Sequence, residues 1–201
     1  MRPLLTCLTW CGLLLLAGCA GLQHSAPGSQ NWDQHRAQLE QMRHWTANGK
    51  IALRNAGQAE SGSLLWQQRD TSTHIRLSGP MGFSATTVDS DGKLLEIRQG
   101  DDYSRWALDD PALAENAVWH LPVSALHYWL KGMPAPQLPV DSITLDAEGS
   151  LPSEISQQGW TVEYRDFAQF ERFTLPTSLR LYRDEVSARI ILRHWGGFSA
   201  P

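Results

Sequence analysis

The residue with the clearest chemistry in this 201-residue chain is Cys19. It follows Leu16, Ala17 and Gly18 at the end of the apolar run Leu4–Leu16, and Arg2 is the only charged side chain before Asp33. A basic start, an apolar core too short to span a bilayer and small residues ahead of a Cys make a bacterial lipobox. In that chemistry the thiol takes a diacylglyceryl group as a thioether. The peptide is then cut ahead of it, and the freed amine is acylated. The competing reading, an ordinary signal peptide with a chance Cys, explains fewer of these residues. One acyl chain holds a protein only marginally to a membrane; two or three hold it firmly. Cleavage takes away Arg2 and moves the net charge from −4 to −5. Cys7 and Cys11 leave with the peptide, so the mature chain has no second sulfur for a disulfide. Ala20 stands where Asp would retain a lipoprotein in the inner membrane, which points to the outer membrane and its periplasmic face.

Other reactive side chains form no constellation. The seven His, at 24, 35, 44, 74, 120, 127 and 194, lack metal-ligand spacing and no free Cys assists them. The pairs Asp101-Asp102 and Asp109-Asp110 sit where turns and helix caps belong, rather than as acid/base dyads. No nucleophile elbow or phosphate-cradling loop is present. The expectation is a non-enzyme without metal or cofactor. With 42% hydrophobic residues and mild acidity the chain is neither disordered nor a nucleic-acid binder.

The elements that follow are mostly strands. Residues 1–18 read as a removed signal peptide, 19–31 as the lipidated Cys and a flexible tether, and 32–201 as one domain. Trp32, Leu39 and Met42 recur at helical spacing, predicting a helix over Trp32–Trp45. From Thr46 the pattern has period two, with turn residues at Asn55–Gly57, Asp91-Gly92, Gly100–Asp102 and Gln158-Gly159. Strands are expected at Thr46–Arg54, Ser61–Gln68, Thr73–Ser78, Phe83–Val88, Lys93–Gln99 and Tyr103–Leu108. After the break they resume at Ser142–Leu145, Pro152–Gln157, Trp160–Phe167, Ser178–Arg183 and Ser187–Trp195. Between the two runs, Asp110-Pro111 starts one helix and Pro122–Leu130 forms another, its apolar face being Val123, Leu126, Trp129 and Leu130. The fold class is mainly β: one large antiparallel sheet curling around a helical plug, with an apolar cavity where the plug does not fill the interior.

Two features exceed ordinary packing. Eight Trp remain in the mature chain, and two readings of them stand: core filling, or an apolar ligand site lined by some of them. The segment Gly79, Pro80, Met81, Gly82 is a sharp link whose tip carries an apolar residue. Met81 either folds back onto the core or contacts a membrane or partner.

These parts together resemble the LolB family of outer-membrane lipoprotein receptors. The resemblance rests on the lipobox, a Trp-bearing helix near the mature start, and the strand end Leu64-Leu65-Trp66-Gln67-Gln68. It extends to the Gly79–Gly82 loop and to Leu126-His127-Tyr128-Trp129-Leu130-Lys131-Gly132-Met133-Pro134. It implies an incomplete, half-open antiparallel β-barrel of about eleven strands with helical lids, like the periplasmic carrier LolA. It further implies a monomer, anchored by Cys19, that accepts acylated lipoprotein cargo from LolA and inserts it among outer-membrane lipids through the loop Gly79, Pro80, Met81 and Gly82. The expected acyl-chain cavity is lined by Leu64, Trp66, Ile75, Leu77, Leu95, Ile97, Val162, Tyr164, Leu179 and Leu181, with Leu126 and Trp129 on the plug. A scaffold lipoprotein that assists outer-membrane protein assembly is the alternative, and it predicts a filled core with no affinity for acyl chains.

Overall fold

A computed structural model describes residues 31–55, 57–79, 85–110 and 121–198. Cys19 and the tether before Asn31, the loop residues Pro80, Met81 and Gly82, and the helix start expected at Pro111 lie outside the described residues.

The chain opens with helix α1 (Trp32–Glu40). Asn31 caps it, its side chain accepting from the Gln34 amide at 3.0 Å. Strands β1 (His44–Asn55), β2 (Gln58–Arg69), β3 (Ser72–Ser78), β4 (Thr86–Ser90), β5 (Leu94–Gln99) and β6 (Asp102–Ala107) follow as a meander. Helix α2 (Val123–Trp129) comes next, then β7 (Ser142–Leu145), β8 (Pro152–Gln157), β9 (Trp160–Phe170), β10 (Phe173–Arg183) and β11 (Val186–Gly196). All eleven strands form one antiparallel sheet in the order β6-β5-β4-β3-β2-β1-β11-β10-β9-β8-β7. The two meanders join where β11 pairs with β1, and β6 and β7 are left as unpaired edges. The expected fold class therefore holds: a mainly β, half-open sheet.

Alternation builds the interior. Inward residues meet across strands in continuous rows: Ala47 opposite Trp66, Trp66 opposite Ile75, Ile75 opposite Val88, and Val88 opposite Ile97. A second row runs Ile51, Ile190, Leu179, Tyr164. All of these are buried. Cross-strand apolar pairs of this kind pin the register, because a one-residue slip would turn every one of them to solvent. At the seam, Arg193 is an extra residue in β11, so Asn48 faces His194 while Gly49 faces Leu192. A Cβ on Gly49 would lie 2.0 Å from the Ile191 carbonyl oxygen, so only Gly fits beside this bulge.

The helices follow from the topology. The chain must cross from one free edge, β6, to the other, β7, and α2 lies in that crossover. Its buried side, Ala125, Leu126 and Trp129, belongs to the same cluster as the inner sheet face. Gly132, in the left-handed region at φ 83°, ends the turn beyond α2, and its amide donates to the Trp129 carbonyl. Helix α1 covers one end of the barrel. The Trp32 amide donates to the Gly149 carbonyl in the β7–β8 turn, and Gln38 Nε2 to the Arg172 carbonyl in the β9–β10 turn.

The expected helix over Trp32–Trp45 is a correction. It stops at Glu40, and His44 already pairs with Arg69 in the sheet. Trp45 is buried as a strand residue against Trp66 and Trp195, a better burial than the last turn of an otherwise exposed helix offers. The strand expected at Phe83–Val88 is observed at Thr86–Ser90, with Phe83 and Ser84 outside the described residues.

Gln157 holds the crossover. Its Oε1 accepts from Trp129 Nε1 and from the Ala135 amide, both at 2.8 Å. Its Nε2 donates to the Ala135 carbonyl at 3.0 Å and the Leu138 carbonyl at 3.1 Å. Replacing it by Leu leaves the Trp129 indole N–H, the Ala135 amide and the Leu138 carbonyl without partners, while the Ala135 carbonyl keeps the Leu138 amide. Gln157→Leu is expected to lose about 3 kcal/mol or more in urea unfolding, at roughly 1–3 kcal/mol per orphaned group with partial relaxation. Its far-ultraviolet spectrum should stay β-rich.

Candidate functional site

The apolar interior is the one feature of the described residues with both size and chemical uniformity. All twelve residues expected from alternation to line it are buried: Leu64, Trp66, Ile75, Leu77, Leu95, Ile97, Leu126, Trp129, Val162, Tyr164, Leu179 and Leu181. They fall in one contiguous cluster. Alternation misses none of these but leaves out Trp45, Ala47, Ile51, Val88, Ile155, Trp160, Ile190, Leu192 and Trp195, which face the same interior. All but Trp195 stand in phase with their strands, so the same period-two signal would have found them; Trp195 turns inward only because the extra residue Arg193 shifts the phase of β11.

Trp residues line the interior on both sides. Trp45 stacks on Trp66, with ring centroids 6.0 Å apart and planes at 19°, and meets Trp195 at 5.1 Å. Across the core, Trp129 of α2 meets Trp160 at 6.1 Å. Aromatic pairs in such geometries add to their area burial. The polar atoms they bring are mostly neutralised inside the wall. Trp66 Nε1 donates to Gln68 Oε1 at 3.0 Å, which also accepts from Thr73 Oγ1 at 2.8 Å. Trp195 Nε1 donates to the Pro176 carbonyl at 3.0 Å. Tyr164 Oη donates to the Trp129 carbonyl at 2.8 Å, and burial raises that phenol well above its ordinary value. The buried Gln68 and Gln157 were not legible as site residues. Nothing in their spacing marks them apart from facing inward.

Two cationic groups lie at the end of α2. Lys131 is 4% exposed, and its Nζ donates to the Leu39 and Met42 carbonyls at 3.3 and 3.4 Å, where α1 ends. Burial pulls its ammonium down to about 8, against a partial rise from Glu40. His127 is drawn down to about 4, first by burial and then by the Lys131 charge. Reactive clusters are absent among the described residues: no group of three or more His, Cys, Asp or Glu is placed to hold a metal. His74 pairs with Asp89 at 2.6 Å and His44 with Asp70 at 3.0 Å, both on the outer surface. No helix of the described residues is long and apolar enough to cross a membrane.

Of the expected membrane loop, Gly79 alone is described. It follows Ser78, which pairs with Ser63. Leu77 pairs with Thr86 and Thr86 with Gln99, so β3 ends and β4 begins at the end of the barrel that also holds the β1–β2, β5–β6 and β10–β11 turns. This is the end opposite α1.

The described residues thus form an open antiparallel sheet wrapped round an apolar, Trp-rich interior on which α2 packs. The family model described as "Outer membrane lipoprotein LolB" matches residues 43–195. This chain belongs to the LolB family. Outer-membrane lipoprotein LolB of Pseudomonas putida strain F1 is 35% identical over 198 residues, 94% of each chain. The protein of the same name from Stutzerimonas stutzeri strain A1501 is 37% identical over 195 residues, 92% of each. Among solved structures, a LolA superfamily protein from Nitrosomonas europaea aligns with a TM-score of 0.50 at 11% identity, covering 83% of this chain and 94% of that one. That likeness establishes the fold. The LolB resemblance read from the sequence is thereby confirmed, and an outer-membrane location goes with it.

The shifted groups at α2 give a pH signature. An unfolded His takes its proton near 6.5, while native His127 does so only near 4. Acidification across that window charges the unfolded chain first, so stability falls. The burial-lowered His35 adds in the same direction. Native Lys131 gives up its proton near 8 and the unfolded one near 10.5, so its contribution to stability rises with pH between those values. His127→Gln is expected to reduce the acid loss by an amount on the order of 2 kcal/mol, allowing for the partial exposure of the ring. Lys131→Met should remove the alkaline rise. Urea midpoints measured from pH 4 to pH 10 check both.

Proposed function

We propose that this protein is an outer-membrane-anchored receptor in lipoprotein localisation. It accepts triacylated lipoproteins from a LolA-type periplasmic carrier, shields their acyl chains against the inner face of the sheet, and passes them to the inner leaflet of the outer membrane. The family assignment supports the receptor role over a scaffold for outer-membrane protein assembly, and no feature of the interior favours a reaction. The observation that carries the reading is the sheet itself. Its inner face is mostly apolar, with Gln68, Thr73, Thr86 and Gln157 as the buried polar side chains of its strands, and its edges, β6 and β7, are joined through the crossover that carries α2. An apolar guest can enter such a structure at the open side by displacing a helix, without breaking a ladder.

The energetics fit a relay. Each acyl CH₂ withdrawn from water is worth about 0.8 kcal/mol, so the chains must pass from one apolar host to the next. Handover in one direction requires only that each acceptor bind better than the donor before it. A tenfold preference per step is about 1.4 kcal/mol, a few methylenes' worth of better burial. In this scheme Cys19 holds the receptor at the bilayer, residues 20–31 let it reach the carrier, and Met81 on the loop Gly79–Gly82 enters the leaflet. Gly79 emerges at the end of the barrel opposite α1, which leaves that end free to meet the membrane.

A transfer experiment tests the reading. The mature chain carrying Cys19→Ala, mixed with a carrier holding a radiolabelled triacylated lipoprotein, is expected to remain folded and to take up the label. Retention of the label by a carrier that is competent with another receptor contradicts the proposal. Met81→Glu is expected to accept the label as well as the parent chain but to deliver it to liposomes at least tenfold more slowly, since a charged loop tip resists entry into the leaflet. Equal delivery would refute the role given to the loop.

A further inference from the structure

The outer face of the sheet carries a feature that acyl-chain shielding does not use. Across β1, β9, β10 and β11 runs a groove of about 420 Å³ whose walls include Arg54, Arg165, Arg180 and Arg189. None of the four takes part in an ion pair among the described residues, in a protein whose net charge is −4. Register brings them together. Arg189 stands directly opposite Arg180 on one side and opposite Ala52 on the other, and Arg54 is opposite Ser187. Like charges directly opposite on antiparallel strands are destabilising unless something neutralises them. The carboxylates of Glu60 and Glu163 do not. Glu60 lines the groove as its single acid. Glu163, opposite Arg180, accepts instead from the Tyr182 hydroxyl at 3.1 Å, and the Arg180 guanidinium lies over the Tyr182 ring at 5.1 Å. Between the arginines the side chains are small, including Ala52, Ser178 and Ser187, so the floor is open to a ligand.

We propose that this groove binds the phosphodiester headgroups of anionic phospholipids and holds the barrel against the bilayer. Guanidinium forks match phosphate oxygens in pairs, and several arginines near a surface act additively on an anionic membrane. The position fits. Arg54 and Ser187 lie beside the β1–β2 and β10–β11 turns, so the groove reaches the end of the barrel where Gly79 leaves β3. The inference rests on the receptor reading for the orientation of that end toward the membrane, but it concerns a different surface from the acyl-chain interior.

The test uses the mature chain with Cys19→Ala and sedimentation with two vesicle types: phosphatidylethanolamine alone, and phosphatidylethanolamine with phosphatidylglycerol. The parent chain is expected to bind the anionic vesicles at least tenfold better, with a preference that shrinks as salt is raised. Arg180→Gln/Arg189→Gln should abolish that preference while unfolding at an equal or higher temperature, because it also removes the facing like charges. The matched pair Arg69→Gln/Arg76→Gln, on the outer face of β2 and β3, should keep the preference. Loss in both pairs would mean that overall charge acts rather than the groove, and would overturn the proposal. So would a parent chain with no preference for anionic vesicles, whether it binds inorganic phosphate or a protein instead. Label uptake from the carrier, measured on the same variants, separates this failure from failure of the receptor reading: the groove variants should accept cargo normally.

Discussion

An antiparallel sheet of eleven strands with a mostly apolar inner face must keep that face from water, and this sheet does not do so by closing. β6 and β7 remain free edges, and the chain that joins them is the one long crossover in a fold otherwise made of hairpins. Placing the amphipathic α2 in that crossover gives the inner face something apolar to pack on. A closed barrel of the same strands would have no edge, but it would also have no side from which a long apolar guest could enter without breaking backbone pairs.

Polar atoms inside such a wall have to be neutralised locally, and this sets how tightly α2 is held. Gln157 fastens the Trp129 indole and the strap after the helix, while Tyr164 donates to the last helical carbonyl. Lys131 reaches across to the carbonyls at the end of α1, so that one buried ammonium links the plug to the helix that closes the far end. The bonds to Lys131 are long, and its charge is held against a burial penalty. The link is therefore weaker than those made by Gln157. Two buried nitrogens, His35 Nε2 on α1 and Trp45 Nε1 beneath the barrel's Trp cluster, have no hydrogen-bond partner among the described residues. Orphaned donors of this kind cost about 1–3 kcal/mol each, a further sign that the interior is not optimised for stability alone.

Most of the fold was legible because it depends on period-two burial, which a sequence displays directly. The phases of Leu64/Trp66, Ile75/Leu77, Leu95/Ile97, Val162/Tyr164 and Leu179/Leu181 all hold in the sheet. Errors occur where local and tertiary preferences part. Trp45 continues a helical spacing but is drawn into β1 by Trp66 and Trp195. The first part of β10, Phe173–Thr177, lies outside the strand expected at Ser178–Arg183; the register shifts at Pro176, which lets Pro into the strand and frees its carbonyl for Trp195. The arginine groove had no sequence signature. Arg54 and Arg189 are far apart along the chain and become neighbours only because β11 pairs with β1.

Contact quenching tells directly whether acyl chains are held inside the sheet against the Trp-bearing wall. A triacylated lipopeptide with brominated acyl chains, bound to the mature Cys19→Ala chain, should strongly quench the buried Trp45, Trp66, Trp129, Trp160 and Trp195 relative to its unbrominated counterpart. Binding of both peptides with equal fluorescence would place the chains elsewhere on the molecule and contradict the claim.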